Sequence, residues 1–238
     1  MKATLRRAAG AAWALRERVE HDASRRFARL AVAVAKFDAG SPVIALLQRA
    51  SNDERRHAGF CAELRASYGH RAETLPPEEQ IVPTRLSERQ GVLYEIVAAC
   101  CITETESVAT LATLLAEQAE PHVQAILHEL ARDEVMHSRM GWAHLSREAG
   151  AQDVSFLSAW IPAMLSGTVD EALFLEQPSE PEAAELPRHG LLPQARKREV
   201  FTRTLLDVVL PGLAKFGIDP APARGWLDAR SNRRAGQW

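Results

Sequence analysis

The sequence has few cysteines and no long apolar run, and each scarcity argues against a class of protein. Three cysteines occur among 238 residues, namely Cys61, Cys100 and Cys101. Their odd number and the lack of zinc-site spacing argue against a disulfide framework and favour reduced thiols, as in a cytoplasmic protein. No apolar run approaches the ~18 residues that a membrane span requires. We therefore expect a cytoplasmic protein without a membrane partner.

Neither sign of charge dominates. The 29 Lys and Arg residues nearly balance the 31 Asp and Glu residues, so no overall field attracts nucleic acid, which is not an expected partner. The first 20 residues combine positive charge with a short apolar patch but show no clear cleavage site. We expect them to begin a helix and not to form a signal peptide.

Helical periodicity dominates residues 5–150, and four long helices are predicted there. The first ends near Gly40, and a proline opens the second. The connection at 73–83 is polar, proline-bearing and long enough to cross a bundle. The pattern predicts an all-α, ferritin-like four-helix bundle with one long crossover connection and additional C-terminal helices. The predicted helix boundaries are Leu5–Phe37, Pro42 to about Gly69, Ser87 to about Gln118, and Pro121–Glu148 with a stop at Gly150.

We expect residues 1–150 to form the bundle and residues 151–238 to form a helical extension packed on it. The extension should contain a helix from Val154 to about Leu175 that is interrupted near Pro162 and Gly167, a loose stretch at 177–193, and a helix near Arg196–Phe216. Its composition gives it no strong core of its own.

A glutamate and a histidine three residues apart occur twice, as Glu54 with His57 and as Glu134 with His137. Residues i and i+3 share one face of a helix, and both pairs lie on apolar stripes. The preceding helices carry Glu20 and Glu104 on matching faces. If neighbouring helices are antiparallel, each of these glutamates lies level with its partner pair, within about one ~5.4 Å turn.

Four carboxylates buried together would repel one another and lose hydration. The free-energy cost is roughly several kcal/mol for each carboxylate unless it is protonated or cations neutralise its charge. The set offers four carboxylates in total and one imidazole for each metal. It has too many oxygen donors for a structural zinc site. It suits Fe(II) or Mn(II) with open coordination positions. We expect two Fe ions, with an Fe/Mn pair as the alternative.

Several residues near these positions have more ordinary interpretations. Glu17 and Glu106 replace Glu20 and Glu104 if the register differs. Asp53 and Asp133 are either hydrogen-bonding partners of the ligands or surface acids. The candidates expected in the core are Cys61, Cys100, Trp13 and Trp142. Ordinary roles are expected for His128 and His144, with a pocket-lining role as the alternative for His144, two turns beyond His137. No convincing radical relay is expected from Tyr68 or Tyr94.

The motifs resemble the ferritin-like di-iron carboxylate superfamily, and within it a bacterial group of ferritin-like-domain proteins. The resemblance covers about residues 10–148 and, weakly, the segment at Leu210. It is carried by Glu20–Ser24 with Phe27–Arg29, by Asp53–Ala58, by Thr103–Thr105, and by Asp133–His137 with Gly141–Trp142.

The resemblance implies that Glu54 and Glu134 bridge two metals. It also implies that Glu20 and His57 complete the site of one metal, and that Glu104 and His137 complete the site of the other. These six residues are the expected catalytic and metal-binding set. The expected activity is a di-iron oxygenase or oxidase that uses O2 on a small-molecule substrate. A ferroxidase, iron-handling or peroxide-scavenging protein and a metal-free helical interaction protein are the alternatives. An electron-donor protein and a homo-oligomer are compatible with this reading.

Overall fold

A computed structural model describes residues 1–72, 74–75, 81–169, 171–174 and 183–232. The structure is 82% helical, and the described residues contain no strand. The prediction of an all-α, ferritin-like bundle with one long connection and additional C-terminal helices is confirmed. Part of the predicted 73–83 connection, namely residues 73 and 76–80, lies outside the described residues.

The first two helices form a hairpin. Helix α1 (Ala3–Phe37) and α2 (Pro42–Ser67) are joined by a short turn and pack against each other. Pro42 lies in the first turn of α2, where its missing N–H costs no hydrogen bond. The inward face of α1 buries Trp13, Glu20, Ser24, Phe27, Ala31 and Val34, as its periodicity predicts.

The third predicted helix is interrupted by a change of helical geometry. It comprises α3 (Glu88–Ile96), a π-helical segment (Val97–Thr103) and α4 (Glu104–Leu115). A capping box between Ser87 and Gln90 sets its start. The π-helical segment was not predicted. It contains two adjacent buried cysteines and ends directly before Glu104.

The fourth helix, α5, runs from Pro121 to Ala151. The predicted stop at Gly150 is wrong, because the helix continues through this exposed glycine. A Cβ atom there would meet no atom within 4 Å, so nothing in its surroundings requires a glycine. The third helix ends at Leu115, slightly earlier than predicted.

The C-terminal part is helical, as predicted, but more divided. Pro162 opens a helix after a 3₁₀ turn instead of interrupting one. The predicted loose stretch at 177–193 contains a 3₁₀ helix. The last helix, Ala221–Asn232, was not predicted. Leu175 and residues 177–182 lie outside the described residues. The elements are 3₁₀ Ser155–Trp160, α6 Ile161–Thr168, 3₁₀ Glu171–Phe174, 3₁₀ Ala183–His189, α7 Gln194–Thr204, π Leu205–Val209, α8 Leu210–Ala214 and α9 Ala221–Asn232.

The chain forms two compact units. The first comprises Met1–Gln80, Leu111–His137 and Pro181–Pro193; the second comprises Ile81–Thr110, Ser138–Glu180 and Gln194–Trp238. In the second unit the C-terminal helices share one hydrophobic core with α3 and the π-helical segment. The division into residues 1–150 and 151–238 stays a prediction.

One continuous helical stretch, Glu88–Leu115, is long and apolar enough to span a membrane by length and composition. Half of its most apolar window is buried inside the protein. A core helix of a soluble protein meets the same criterion, so this is weak evidence for a membrane span.

Candidate metal centre

The two Glu-x-x-His pairs lie on α2 and α5, and each pair is in contact within its own helix. His57 Nδ1 lies 3.0 Å from Glu54 Oε2. His137 Nδ1 lies 3.2 Å from Glu134 Oε2. The i, i+3 spacing on a helix produces both contacts, as the sequence indicated.

Each of these two glutamates also faces the histidine of the other helix. Glu54 Oε1 lies 2.9 Å from His137 Nδ1, so its two oxygens address two different imidazoles. Glu134 does the same, with Oε1 4.0 Å from His57 Nδ1. Each of the two carboxylates therefore faces an imidazole nitrogen on both helices.

The predicted residues lie in two overlapping groups of ligand-type side chains. One contains Glu20, Glu54, His57 and Glu134; the other contains Glu54, Glu104, Glu134 and His137. Within each group the four ligand atoms lie within 4.8 Å of one another. All six side chains are buried, from 0% exposed for Glu54 to 6% for Glu104.

The donor set fits a pair of divalent cations. Glu54 Oε1 is buried and makes no hydrogen bond, although His137 Nδ1 is only 2.9 Å away. A single imidazole N–H cannot serve both this oxygen and Glu134 Oε2 well, and a buried carboxylate oxygen without a partner is costly. Metal–ligand bonds of about 2 Å from a shared cation would satisfy all these atoms.

Protons take the place of cations when no metal is bound. Burial alone would lower the pKa of His137, but Glu134 and Glu54 outweigh it and raise the pKa to about 10. The same balance, with Glu54, Glu134 and Asp133 as partners, raises the pKa of His57. Burial and the neighbouring Glu54 raise the pKa of Glu20 well above its usual range. The metal-free cluster therefore retains protons that a metal ion would displace.

Residues 17–145, more than half of the chain, match the family model described as rubrerythrin. The chain belongs to the rubrerythrin family. The matched range contains all six cluster residues, and members of the rubrerythrin family are typically di-iron redox enzymes. No curated protein matches the chain, and no solved structure does. The buried carboxylate and histidine cluster of this rubrerythrin-family chain is thus able to bind metal.

Two aspartates lie behind the histidines of the rubrerythrin domain, and Asp133 is the one within hydrogen-bond distance. His57 Nε2 lies 3.2 Å from Asp133 Oδ2, across from α2 to α5. His137 Nε2 lies 3.6 Å from Asp53 Oδ2 in the reciprocal direction. Both aspartates are buried, which excludes the surface-acid reading. Arg56 contacts both carboxylates, donating to Asp53 over 3.0 Å and also pairing with Asp133.

The alternative first ligand, Glu17, has another partner. Its Oε2 accepts a hydrogen bond from Arg65 Nε at 2.5 Å. Glu106 accepts a hydrogen bond from Thr110 at 2.7 Å and is absent from the two ligand groups. The described geometry therefore favours Glu20 and Glu104 over these substitutes.

Sequence reasoning missed Arg16, whose Nε donates to Glu20 Oε1 at 3.0 Å. The signal was available, because Arg16 and Glu20 have the i, i+4 spacing of a helical ion pair. Glu20 outweighs the effect of burial and raises the pKa of Arg16, which keeps a fixed positive charge beside the cluster. The remaining candidates Cys61, Cys100 and Trp13 are buried, as expected of core residues, and so is His144; His128 is exposed.

Proposed function

We propose that this rubrerythrin-family protein is a di-iron oxidoreductase that activates O2 to oxidise a small organic substrate. The observation that carries the proposal is the position of Glu54 and Glu134. Each carboxylate faces both His57 and His137 inside a fully buried cluster. Two carboxylates placed in this way would hold two metal ions close together, and two Fe(II) ions would supply the electrons for a two-electron reaction with O2.

The six predicted residues divide between two metal positions in this proposal. Glu20 and His57 would complete one position, and Glu104 and His137 would complete the other. Glu54 and Glu134 would serve both. Two Fe(II) ions would supply two electrons and open coordination positions for O2. An Fe/Mn pair would use the same donors.

The protein's own residues prepare the site for that chemistry. Burial of the cluster excludes water and strengthens every charge interaction within it. Asp133 orients His57 through Nε2, which leaves Nδ1 directed at Glu54 and at the proposed metal. Arg16 donates to Glu20 Oε1 and so fixes the orientation of that carboxylate beside the cluster.

A second candidate is reduction of peroxide, or oxidation of Fe(II) as a ferroxidase. Near-complete burial of the six side chains favours it, since O2 and peroxide are small enough to enter where an organic substrate needs a cavity. A third class, a metal-free helical interaction protein, would bind no metal. The three cysteines form no disulfide among the described residues, which supports a reducing, cytoplasmic location. An electron-donor protein would return the electrons.

One experiment separates chemistry with O2 from reduction of peroxide. Protein loaded anaerobically with Fe(II) is mixed with O2 or with hydrogen peroxide, and the optical spectrum is followed by stopped flow. An oxygenase or oxidase reacts faster with O2 and shows a transient chromophore. A peroxide-reducing enzyme reacts faster with peroxide. Equal and slow oxidation in wild type and in Glu54→Ala would contradict both redox proposals.

A further inference from the structure

A second polar cluster in the first unit joins a tyrosine to a buried histidine. Tyr68 directly follows α2, and its Oη lies 3.1 Å from His189 Nδ1. The two rings meet edge to face with centroids 5.6 Å apart. His189 is only 8% exposed, although it ends a short 3₁₀ helix far away in sequence.

Trp13 connects this pair to the helix that carries Glu20. Its Nε1 donates to the backbone oxygen of His189 at 3.0 Å, and its side chain is 2% exposed. Trp13 and Glu20 are both buried on α1. They are seven residues apart, which is about two helical turns or roughly 10 Å along the helix axis. Trp13 of the aromatic cluster and Glu20 of the metal centre therefore lie on the same face of α1.

Two glycines show that the residues around Tyr68, His189 and Trp13 are tightly packed. Gly190 has φ +74°, and a Cβ atom there would lie 2.7 Å from Trp13 Cζ2. A Cβ atom at Gly10 would lie 2.8 Å from the Cβ of His70 and 3.4 Å from that of Tyr68. Such close approaches fix the positions of Trp13 and Tyr68 around His189.

The charge states suit transfer of a proton from the phenol to the imidazole. Burial lowers the pKa of His189, an effect that Glu120 opposes and Arg188 reinforces, so the imidazole is mainly neutral at pH 7. Burial and the charge of Glu120 raise the pKa of Tyr68 to about 12, so the phenol keeps its proton. Tyr68 is then the donor and His189 Nδ1 the acceptor of their hydrogen bond.

We propose that Tyr68, His189 and Trp13 form a one-electron relay for the metal centre. The sequence alone indicates no such relay, because the contact of Tyr68 with His189 joins residues far apart in the chain. Tyr68 loses one electron to a strong one-electron oxidant, which is the metal centre after reaction with O2 or peroxide. The phenolic proton moves to His189 Nδ1, so a neutral phenoxyl radical and an imidazolium result. An external one-electron reductant then restores Tyr68, and the proton returns. Trp13 carries the electron between Tyr68 and the Glu20 face.

The source of the oxidant rests on the proposed function, so the relay is tested first without metal. Metal-free protein is oxidised with a photogenerated ruthenium(III) polypyridyl complex, and radicals are trapped for electron paramagnetic resonance. The chain has two tyrosines, so assignment needs two variants. We expect a phenoxyl signal in wild type and in the control Tyr94→Phe, and its loss in Tyr68→Phe. Retention of the signal in Tyr68→Phe would overturn the proposal.

The role of His189 is tested with His189→Gln, which keeps a hydrogen-bond acceptor but removes the base. We expect oxidation of Tyr68 to become roughly 100-fold slower, because the proton has no nearby acceptor. The wild-type reaction should also be slower in deuterium oxide. An unchanged rate with no solvent isotope effect would contradict proton transfer to His189. Circular dichroism verifies that each variant is folded.

The link to the metal centre is tested with iron-loaded protein and hydrogen peroxide. We expect a phenoxyl radical in wild type and a several-fold lower yield in Trp13→Phe. If the loaded protein binds two irons but forms no radical on Tyr68, the relay is wrong while the metal site stands. If the protein takes up no iron, the proposed function is wrong and the relay loses its oxidant.

Discussion

Glu54 Oε1 on α2 lies 2.9 Å from His137 Nδ1 on α5, and it is buried without a hydrogen bond. The other oxygen of Glu54 faces His57 at 3.0 Å. Two imidazoles and a shared carboxylate in this arrangement need positive charge between them, supplied either by protons or by metal ions.

Loss of the Asp133 carboxylate should weaken metal binding. Asp133 Oδ2 lies 3.2 Å from His57 Nε2, and an asparagine side chain at this position would keep the shape but remove the negative charge that orients the ring. We expect Asp133→Asn to raise the Kd for Fe(II) or Mn(II) by about 10–100-fold. Glu129, whose side chain is 44% exposed, provides a matched control as Glu129→Gln, measured by the same anaerobic titration. Equal Kd values in the two variants would argue against this role for Asp133.

Metal loading should release protons. The raised pKa values of His57, His137 and Glu20 mean that the metal-free cluster is protonated near neutral pH. Two metals would displace about two or more protons per chain, so affinity should rise with pH between about 6 and 9. Calorimetry in buffers with different ionisation enthalpies measures this release. Metal binding that is independent of pH would contradict the protonated cluster.

The metal-free protein should lose stability as pH rises. The pKa of His137 is raised from 6.5 to about 10, so its contribution is complete below pH 6.5 and is lost as pH rises through 10. The raised pKa of Glu20 acts in the same direction. We expect the Tm in chelator to fall from pH 6 to pH 9. His137→Gln should flatten this slope, whereas the exposed-residue control His128→Gln should leave it unchanged.

A rise in Tm over the same pH range would contradict this account. The opposite trend is expected at low pH. Arg132, His57 and Arg56 outweigh burial and lower the pKa of Asp133, so its contribution is lost as pH falls below about 3.8.

Gly141 should be intolerant of a side chain. A Cβ atom there would lie 2.2 Å from the Cβ of Cys100 in the π-helical segment. We expect Gly141→Ala to lower the free energy of unfolding by about 1–3 kcal/mol through overpacking. Gly59→Ala is the matched helical control, since nothing lies within 4 Å of its Cβ position. It should stabilise by about 0.5–1 kcal/mol, and chemical denaturation measures both changes.

Much of the fold and of the cluster could be predicted from local patterns. The two Glu-x-x-His pairs and Glu20 lie on apolar stripes, and helical periodicity alone determines which residues share a face. The same reasoning fails for Leu46: helical steps from Glu54 place it on the inner face of α2, but its side chain is 38% exposed. The buried face of α2 is narrower than a full apolar stripe.

Other features depend on contacts that sequence periodicity does not contain. The π-helical segment before Glu104 has the same residue types as an α-helix, and its extra residue per turn reflects packing. Helix α9 was missed because prolines at 220 and 222 flank its start and only Ala223, Trp226 and Leu227 mark its buried face. The contact of Tyr68 with His189 joins residues 121 positions apart, so no local pattern reports it.

Metal stoichiometry tests the central claim most directly. Wild type, Glu54→Ala, His57→Ala and the surface control Glu63→Gln are loaded anaerobically with Fe(II), separated from free metal and analysed for iron per chain. The account predicts about two irons per chain in wild type and in the control, and loss of binding in the two cluster variants. Equal iron content in wild type and in the cluster variants would contradict it.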